Sequence, residues 1–424
     1  MMSTIDRRTF LRTGLLLAAS GLAARRSAAQ SMGPRPPALL VVFCGGGWDV
    51  HLLGEPRGMM ADQQARARLV RYAPSEVQHI GNLDVGPVLA PFAKSFGDRL
   101  TIVRGVHMGI DGHEFATHHM LYGEQLFQLY PSDRDTLQAA WVRSHGDTML
   151  PNVSLSHVAM NTARLSDPGL ASPIFVTPDA LEALFGPGEQ LMLKPEARDM
   201  IETQVLSRTT GVRRASFQRA ATMARRDLSG VLSIAPAVSL LGDRTADVLS
   251  DFDRQCLMAY QLIANGMSSC VTIGQTGFDT HLSFEYDDHI ARGRAVFGDP
   301  GRFNGRTGLS MLLDLLARPT DPQGGSPLDR TTIVIASEFS RAELQRNHNP
   351  ENNHYLLLGK GFARTMGGRV FGASDENTAT ALKVDPKTGQ PDPNGVLLTP
   401  GVLFDTVLSA GGAAASRGLA ALLA

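Results

Sequence analysis

The chain is poor in cysteine, in net charge and in long apolar runs, and each shortage removes a class of protein. Only Cys44, Cys256 and Cys270 occur among 424 residues. So few thiols exclude a small disulfide-stapled scaffold, and their spacings match no zinc or redox motif. Buried inert thiols are expected, with a Cys256–Cys270 bridge left open because an oxidising compartment would permit it. Forty basic residues face forty-one acidic ones. No basic excess exists to displace counterions from a nucleic acid, so nucleic-acid binding is not expected. Beyond the first thirty residues no uncharged apolar stretch reaches the roughly 20 residues of a membrane span. There is no HExxH, P-loop or GxSxG motif, and no repeat of solenoid type. Gly359-Lys360-Gly361 is too short and too late for a dinucleotide fingerprint. What remains is a globular composition, 43% hydrophobic and 19% charged, that excludes disorder and a collagen-like repeat.

The first 29 residues read as an address. Paired Arg7-Arg8 precede Phe10-Leu11, an apolar run follows from Leu15 to Ala24, and the segment closes on Ser27-Ala28-Ala29. A charged start, a short apolar stretch and a small-x-small end describe a secretory signal peptide, here of the twin-arginine kind. A basic amphipathic membrane helix is the bland alternative. The expectation is cleavage near Ala29, export through the twin-arginine machinery, and a periplasmic or secreted protein without a stable membrane anchor. Residues 30–37 form a proline-rich lead-in, and residues 38–424 are read as one domain.

Within that domain, Ala38–Cys44 is continuously apolar, which suits a strand buried on both faces. Further strands are expected at 100–106, 269–273, 331–336 and 355–358. Helical spacing marks 247–265 and 308–318, and turn residues make 383–397 a loop or hairpin. Strands separated by helices imply an α/β fold with a mostly parallel central sheet, helices on both faces, and an irregular insertion or cap around 120–245.

Ligands of such sheets bind beyond the carboxyl ends of the strands. There the sequence places Gly45-Gly46-Gly47-Trp48-Asp49, then Gly112-His113-Glu114-Phe115-Ala116-Thr117-His118-His119, then Gly277-Phe278-Asp279-Thr280-His281, then Ser337-Glu338-Phe339-Ser340-Arg341. A polar loop ending Asn353-His354 leads into the fifth strand. Imidazoles and carboxylates at several strand ends form a donor set for a divalent metal. Each segment also has a bland reading. The glycines make a tight turn with Asp49 as a cap, Asp279 bonds its own turn, and Glu338 is a surface acid paired with Arg341. Of the histidines near 113–119, His113 is favoured as the one facing a site. His348 is read as solvated, and His145, His157 and His289 carry no signal.

The segments LLVVFCGGGWDVH, GFDTH, TTIVIASEFSR and NNHYLLLGKGFARTMGGRVFG, behind a twin-arginine leader, resemble the exported family catalogued as domain of unknown function 1501. That family is similar to the alkaline phosphatase and sulfatase superfamily of metal-dependent α/β hydrolases. The resemblance implies an alkaline phosphatase-like fold and a metal site. Asp49, Asp279, His281, Glu338 and His354 would be the metal ligands. One or two ions of zinc, manganese, calcium or magnesium would be bound. Two departures stand out. Where the family shows Ser-His-Phe, this chain has His113-Glu114-Phe115 after Gly112, and Asn353-His354 replaces an Asp-His pair.

The leading expectation is a periplasmic metal-dependent hydrolase of phosphate or sulfate esters, small or polysaccharide. In it His113 acts as ligand or general acid, Thr117 is the nearby hydroxyl, and Arg341 clamps an anionic substrate. The missing serine motivates an alternative, a catalytically degenerate member serving as an exported binding or assembly protein. An exported redox enzyme is a third reading that rests on the export route alone.

Overall fold

The computed structural model describes residues 35–56, 72–124, 135–145, 148–156, 171–185, 234–241, 249–281, 286–319, 325–341, 347–362, 365–375, 378–413 and 418–423. The leader expected over 1–29, the start of the lead-in and most of the stretch between 120 and 245 lie outside them.

The apolar run at 38–44 forms β1, Ala38–Gly45, with all eight residues buried. Strand side chains alternate between faces, and here both sets are apolar. Leu40, Val42 and Cys44 join one core cluster, and Leu39, Val41 and Phe43 join the other. A strand with two buried faces requires helices on both sides of its sheet.

The remaining elements supply them. In chain order they include β2 (Thr101–Val103), α1 (His113–Tyr122), α2 (Leu137–His145), β3 (Asn152–Ser154), β4 (Ile174–Phe175), α3 (Asp251–Ala264), β5 (Cys270–Thr276), α4 (Tyr286–Phe297) and α5 (Gly308–Leu316). They are followed by β6 (Thr331–Ala336), β7 (Ser340–Arg341), β8 (His348–Asn349), β9 (Tyr355–Gly359), β10 (Arg369–Phe371) and α6 (Pro400–Ala410). Residues of α3, α4 and α5 pack with the first cluster, and residues of α1, α2 and α6 with the second. Ser250 and Asp253 form a capping box that fixes the start of α3.

Eight strands make the central sheet in the order β10-β2-β9-β6-β1-β5-β3-β4. Every neighbouring pair is parallel except those of β9, which runs against β6 and β2. The expected α/β fold with a mostly parallel sheet is thus present. The described residues between β6 and β9 hold only the β7–β8 pair, and without a crossover helix the chain returns antiparallel. The reversal places the residues just before β9 at the same sheet end as those just after β1, β5 and β6. The hairpin expected at 383–397 is present, with Lys383–Val384 paired to Val396–Leu397.

Cys44, Cys256 and Cys270 are buried and free, so Cys256 on α3 and Cys270 on β5 form no bridge. Among the described residues no helix is long and apolar enough to cross a membrane.

Candidate functional site

The loops after β1, β5 and β6 meet at the glycine run. Gly46 has φ +118°, and a Cβ there would stand 2.2 Å from the backbone nitrogen of Asp279. Gly47 has φ +78°, and its Cβ would stand 2.4 Å from the Phe339 ring. Only glycine adopts these angles freely and leaves this room. The run therefore makes a tight turn and also lets the Asp279 and Phe339 loops close against it.

Asp279 lies at the centre. Arg341 donates to its Oδ1 at 2.6 Å, and His281 Nε2 lies 2.9 Å from the same oxygen. His113 Nε2 and His348 Nε2 stand 3.4 Å and 3.8 Å away. Arg341 is 1% exposed. It also donates to the Gly47 carbonyl at 3.0 Å, to the Gly46 carbonyl and, at 3.3 Å, to His281 Nε2. Burial alone would raise the Asp279 pKa. The Arg341 hydrogen bond and charge, with His113 and His281, outweigh it and hold the carboxyl below its ordinary range.

Glu338 is buried and accepts three hydrogen bonds. Its Oε1 takes the Gly46 N–H at 2.8 Å and His113 Nδ1 at 2.7 Å, and its Oε2 takes the Ser337 hydroxyl at 3.0 Å. The reading of Glu338 as a surface acid paired with Arg341 is corrected. It faces inward at a strand end and its partner is His113. The Glu338 hydrogen bond raises the His113 pKa. Burial opposes the rise, while the charges of Glu338 and Asp279 add to it.

His348 is the residue the sequence reading missed. Its polar loop reads as solvated, but β7 and β8 pair antiparallel with His348 opposite Arg341, which carries its ring to Asp279. The ring stacks on Phe339 with centroids 4.2 Å apart and meets the His113 ring edge-on at 4.5 Å. Burial lowers its pKa. The Asp111 carbonyl works against that, and the charges of His113, Arg341 and His281 reinforce it. No local pattern marks His348. Only its pairing with Arg341 distinguishes it from the other polar residues of its loop.

The two tautomers are set by their partners. A carboxylate and a carbonyl can only accept, so Nδ1 of His113 donates to Glu338 and Nδ1 of His348 donates to Asp111. Each neutral ring then carries its lone pair on Nε2. Both Nε2 atoms are buried without a hydrogen-bond partner. Together with a carboxylate oxygen of Asp279 they lie within 4.8 Å of one another, a donor set of two imidazole nitrogens and one carboxylate.

Beside this group opens a cavity of ≈ 330 Å³ whose walls include His113, Thr117, Thr276, Gly277 and Asp279. His113 and Thr117 stand one turn apart on α1, so they share a face. Of the five residues expected as ligands, Asp279 alone belongs to this group; His281 and Glu338 adjoin it, bonded to Arg341 and to His113, and Asp49 and His354 lie elsewhere. Asp49 caps the turn Val50–Leu52 by accepting the His51 N–H at 3.0 Å, while its own N–H donates to His289 Nε2 at 2.7 Å. His354 is fully buried, 3.1 Å from Glu55, which also accepts from Asn352 and Ser374. Neither belongs to the His113–Asp279–His348 group.

The chain matches the family described as protein of unknown function (DUF1501) over residues 187–387. No curated protein matches its sequence. Three solved structures illustrate what its fold is similar to. Ps i-CgsB, solved in complex with k-i-k-neocarrahexaose, is 8% identical, with 90% of this chain and 73% of that one covered and a TM-score of 0.42. The PsFucS1 sulfatase from Pseudoalteromonas sp. is 10% identical, with coverages of 89% and 68% and a TM-score of 0.36. The phosphonate monoester hydrolase of Agrobacterium radiobacter is 11% identical, with coverages of 89% and 74% and a TM-score of 0.35.

Proposed function

We propose that this chain is an exported, metal-dependent hydrolase of phosphate or sulfate esters. One observation carries the reading: the lone pairs of His113 Nε2 and His348 Nε2, both buried and unpartnered, converge with the Asp279 carboxylate. Burying polar nitrogens without partners is costly, and a cation bound among them removes that cost. Two imidazoles and one carboxylate suit zinc, manganese or ferrous iron better than calcium or magnesium, which prefer oxygen donors. Such an ion supplies Lewis acidity toward an ester oxygen and lowers the pKa of water.

The chain's own groups have distinct tasks. Glu338 holds the Nδ1 proton of His113 and fixes the ring's direction. Arg341 fastens Asp279 and the glycine turn, and its donors are spent on protein acceptors rather than on substrate. Thr117 brings a hydroxyl to the cavity wall beside His113, where it meets the ester. Export to the periplasm through the twin-arginine machinery is part of the proposal, on the strength of Arg7-Arg8 and the apolar run behind them.

The test is a panel of aryl phosphate and aryl sulfate esters given to the zinc- or manganese-loaded protein. Turnover by the wild type should fall at least about 100-fold in Asp279→Asn. Equal rates in the two proteins would contradict the assignment. A second reading, an exported binding protein without catalysis, is favoured by the Arg341–Asp279 contact at 2.6 Å, which meets the carboxylate's charge without any metal. Full metal occupancy with no ester turnover would support it.

A further inference from the structure

The cavity beside the donor group has one acid whose charge no neighbour meets. Its walls hold the carboxylates of Asp279, Glu338 and Glu114. Asp279 pairs with Arg341, and Glu338 accepts hydrogen bonds from Gly46, His113 and Ser337. Glu114 is exposed and, among the described residues, makes no hydrogen bond or ion pair. His118, one turn further along α1, feels its charge. Burial nevertheless holds that ring's pKa below the ordinary 6.5, so His118 offers no cation at neutral pH. Among the described residues no lysine or arginine lines the cavity, and the donors of Arg341 are spent on protein acceptors.

Glu114 lies in the first turn of α1, where the helix dipole favours an acid. That preference accounts for its sign but not for its place on the cavity wall. Glu114 stands one residue after His113 and three before Thr117, so it adjoins the metal donor and shares a face with the hydroxyl. A substrate held at His113 therefore meets Glu114 as well. A carboxylate there repels a second anionic group and attracts a cation, and both effects select among substrates. The metal donors face the ester's own anion, which leaves Glu114 to the alcohol part.

We propose that Glu114 is a specificity-determining residue that selects esters whose alcohol part carries an ammonium group, an aminoalkyl phosphate or sulfate. This deepens the hydrolase reading and rests on it for the ester, but recognition of the ammonium group can be measured without turnover. The experiment is calorimetric titration of the zinc-loaded full chain with aminopropylphosphonate, hydroxypropylphosphonate and butylphosphonate. These have no ester bond to cleave and differ only in the group that ends a chain of equal length. The matching sulfonates form a second arm. In at least one arm the wild type should bind the amino ligand about fivefold more tightly than the butyl one, the gain expected of a hydrated ion pair. Glu114→Gln should erase that preference by weakening the amino ligand and tightening the butyl one, and Glu114→Asp, which keeps the charge, should retain part of it. A Gln variant that weakens all ligands alike would show a merely structural role and overturn the proposal. Equal binding of the amino and hydroxyl ligands, or no binding by the wild type in either arm, overturns it too. An ammonium preference that depends on Glu114 in a protein that hydrolyses no ester would refute the hydrolase reading and leave this site standing. Turnover of propyl and aminoethyl esters at equal kcat/KM, unmoved by Glu114→Gln, would do the reverse.

Discussion

Glu338 touches the cavity wall, but its main partner there is the His113 ring, through which it acts. The neutral ring keeps its Nε2 lone pair aimed at Asp279 because Glu338 takes the Nδ1 hydrogen. Replacing Glu338 by Gln leaves an acceptor of similar shape but removes the charge that enforces the tautomer and raises the ring's basicity. Metal affinity should fall by about 10–100-fold while the fold persists, measured by competition with a chromophoric chelator. Unchanged affinity would show that Glu338 does not orient a ligand. His118 offers a contrasting residue. It is 2% exposed, both ring nitrogens lack partners, and it stacks on Tyr122 with centroids 5.5 Å apart. Burial holds its pKa below the ordinary 6.5 despite Glu114, and burial does the same to His119 and His354 against their hydrogen-bond partners. A ring with a depressed folded pKa binds protons more readily when unfolded. Stability is therefore intact above about pH 6.5 and declines as pH falls below it. His118→Phe keeps the stacked ring and removes the unmet nitrogens. It should add about 1 kcal/mol at pH 7.5. Urea melts at pH 7.5 and 5.5 should show a smaller acid loss in the variant than in the wild type, and an equal loss would refute the assignment.

At the scale of elements, the site exists because the loops after β1 and β5 touch. Gly46→Ala would drive a Cβ into the Asp279 backbone and force an L residue to φ +118°. Neither clash can be relieved by a side-chain rotation, so the variant should lose about 2 kcal/mol or more and most of its metal affinity. Wild-type-like melting would show that the two loops do not pack as described. The strands themselves were legible in the sequence. The run ALLVVFC is apolar throughout and TTIVIA is apolar from Ile333 on, which suits strands buried on both faces. The reversal of β9 was not legible, since YLLL reads the same in either direction. The β7–β8 pair was also hidden, because two strands of two residues carry no periodicity. That explains the fate of the candidate ligands. Asp279, His281 and Glu338 follow the long strands β5 and β6, so position alone brought them to this sheet end, though of the three only Asp279 joins the donor group. His348 reaches the site through the short pair and was missed, while His354 turns to Glu55.

At the scale of the molecule, one sheet end gathers the polar chemistry while two apolar cores hold the rest. The helices on either face leave the strand-end loops as the place where imidazoles and carboxylates collect, as expected for an α/β sheet. The chain is close to neutral, with a net charge of −1, so attraction of an anionic ester depends on local groups rather than on overall charge. The central claim is that His113, Asp279 and His348 hold a metal. Elemental analysis of the protein, purified without chelator or histidine tag, tests it most directly when the wild type is compared with His348→Gln and His354→Gln. About one equivalent of transition metal is expected in the wild type and in folded His354→Gln, and almost none in His348→Gln. A wild type without metal, or a His348→Gln variant that keeps it, would contradict the claim.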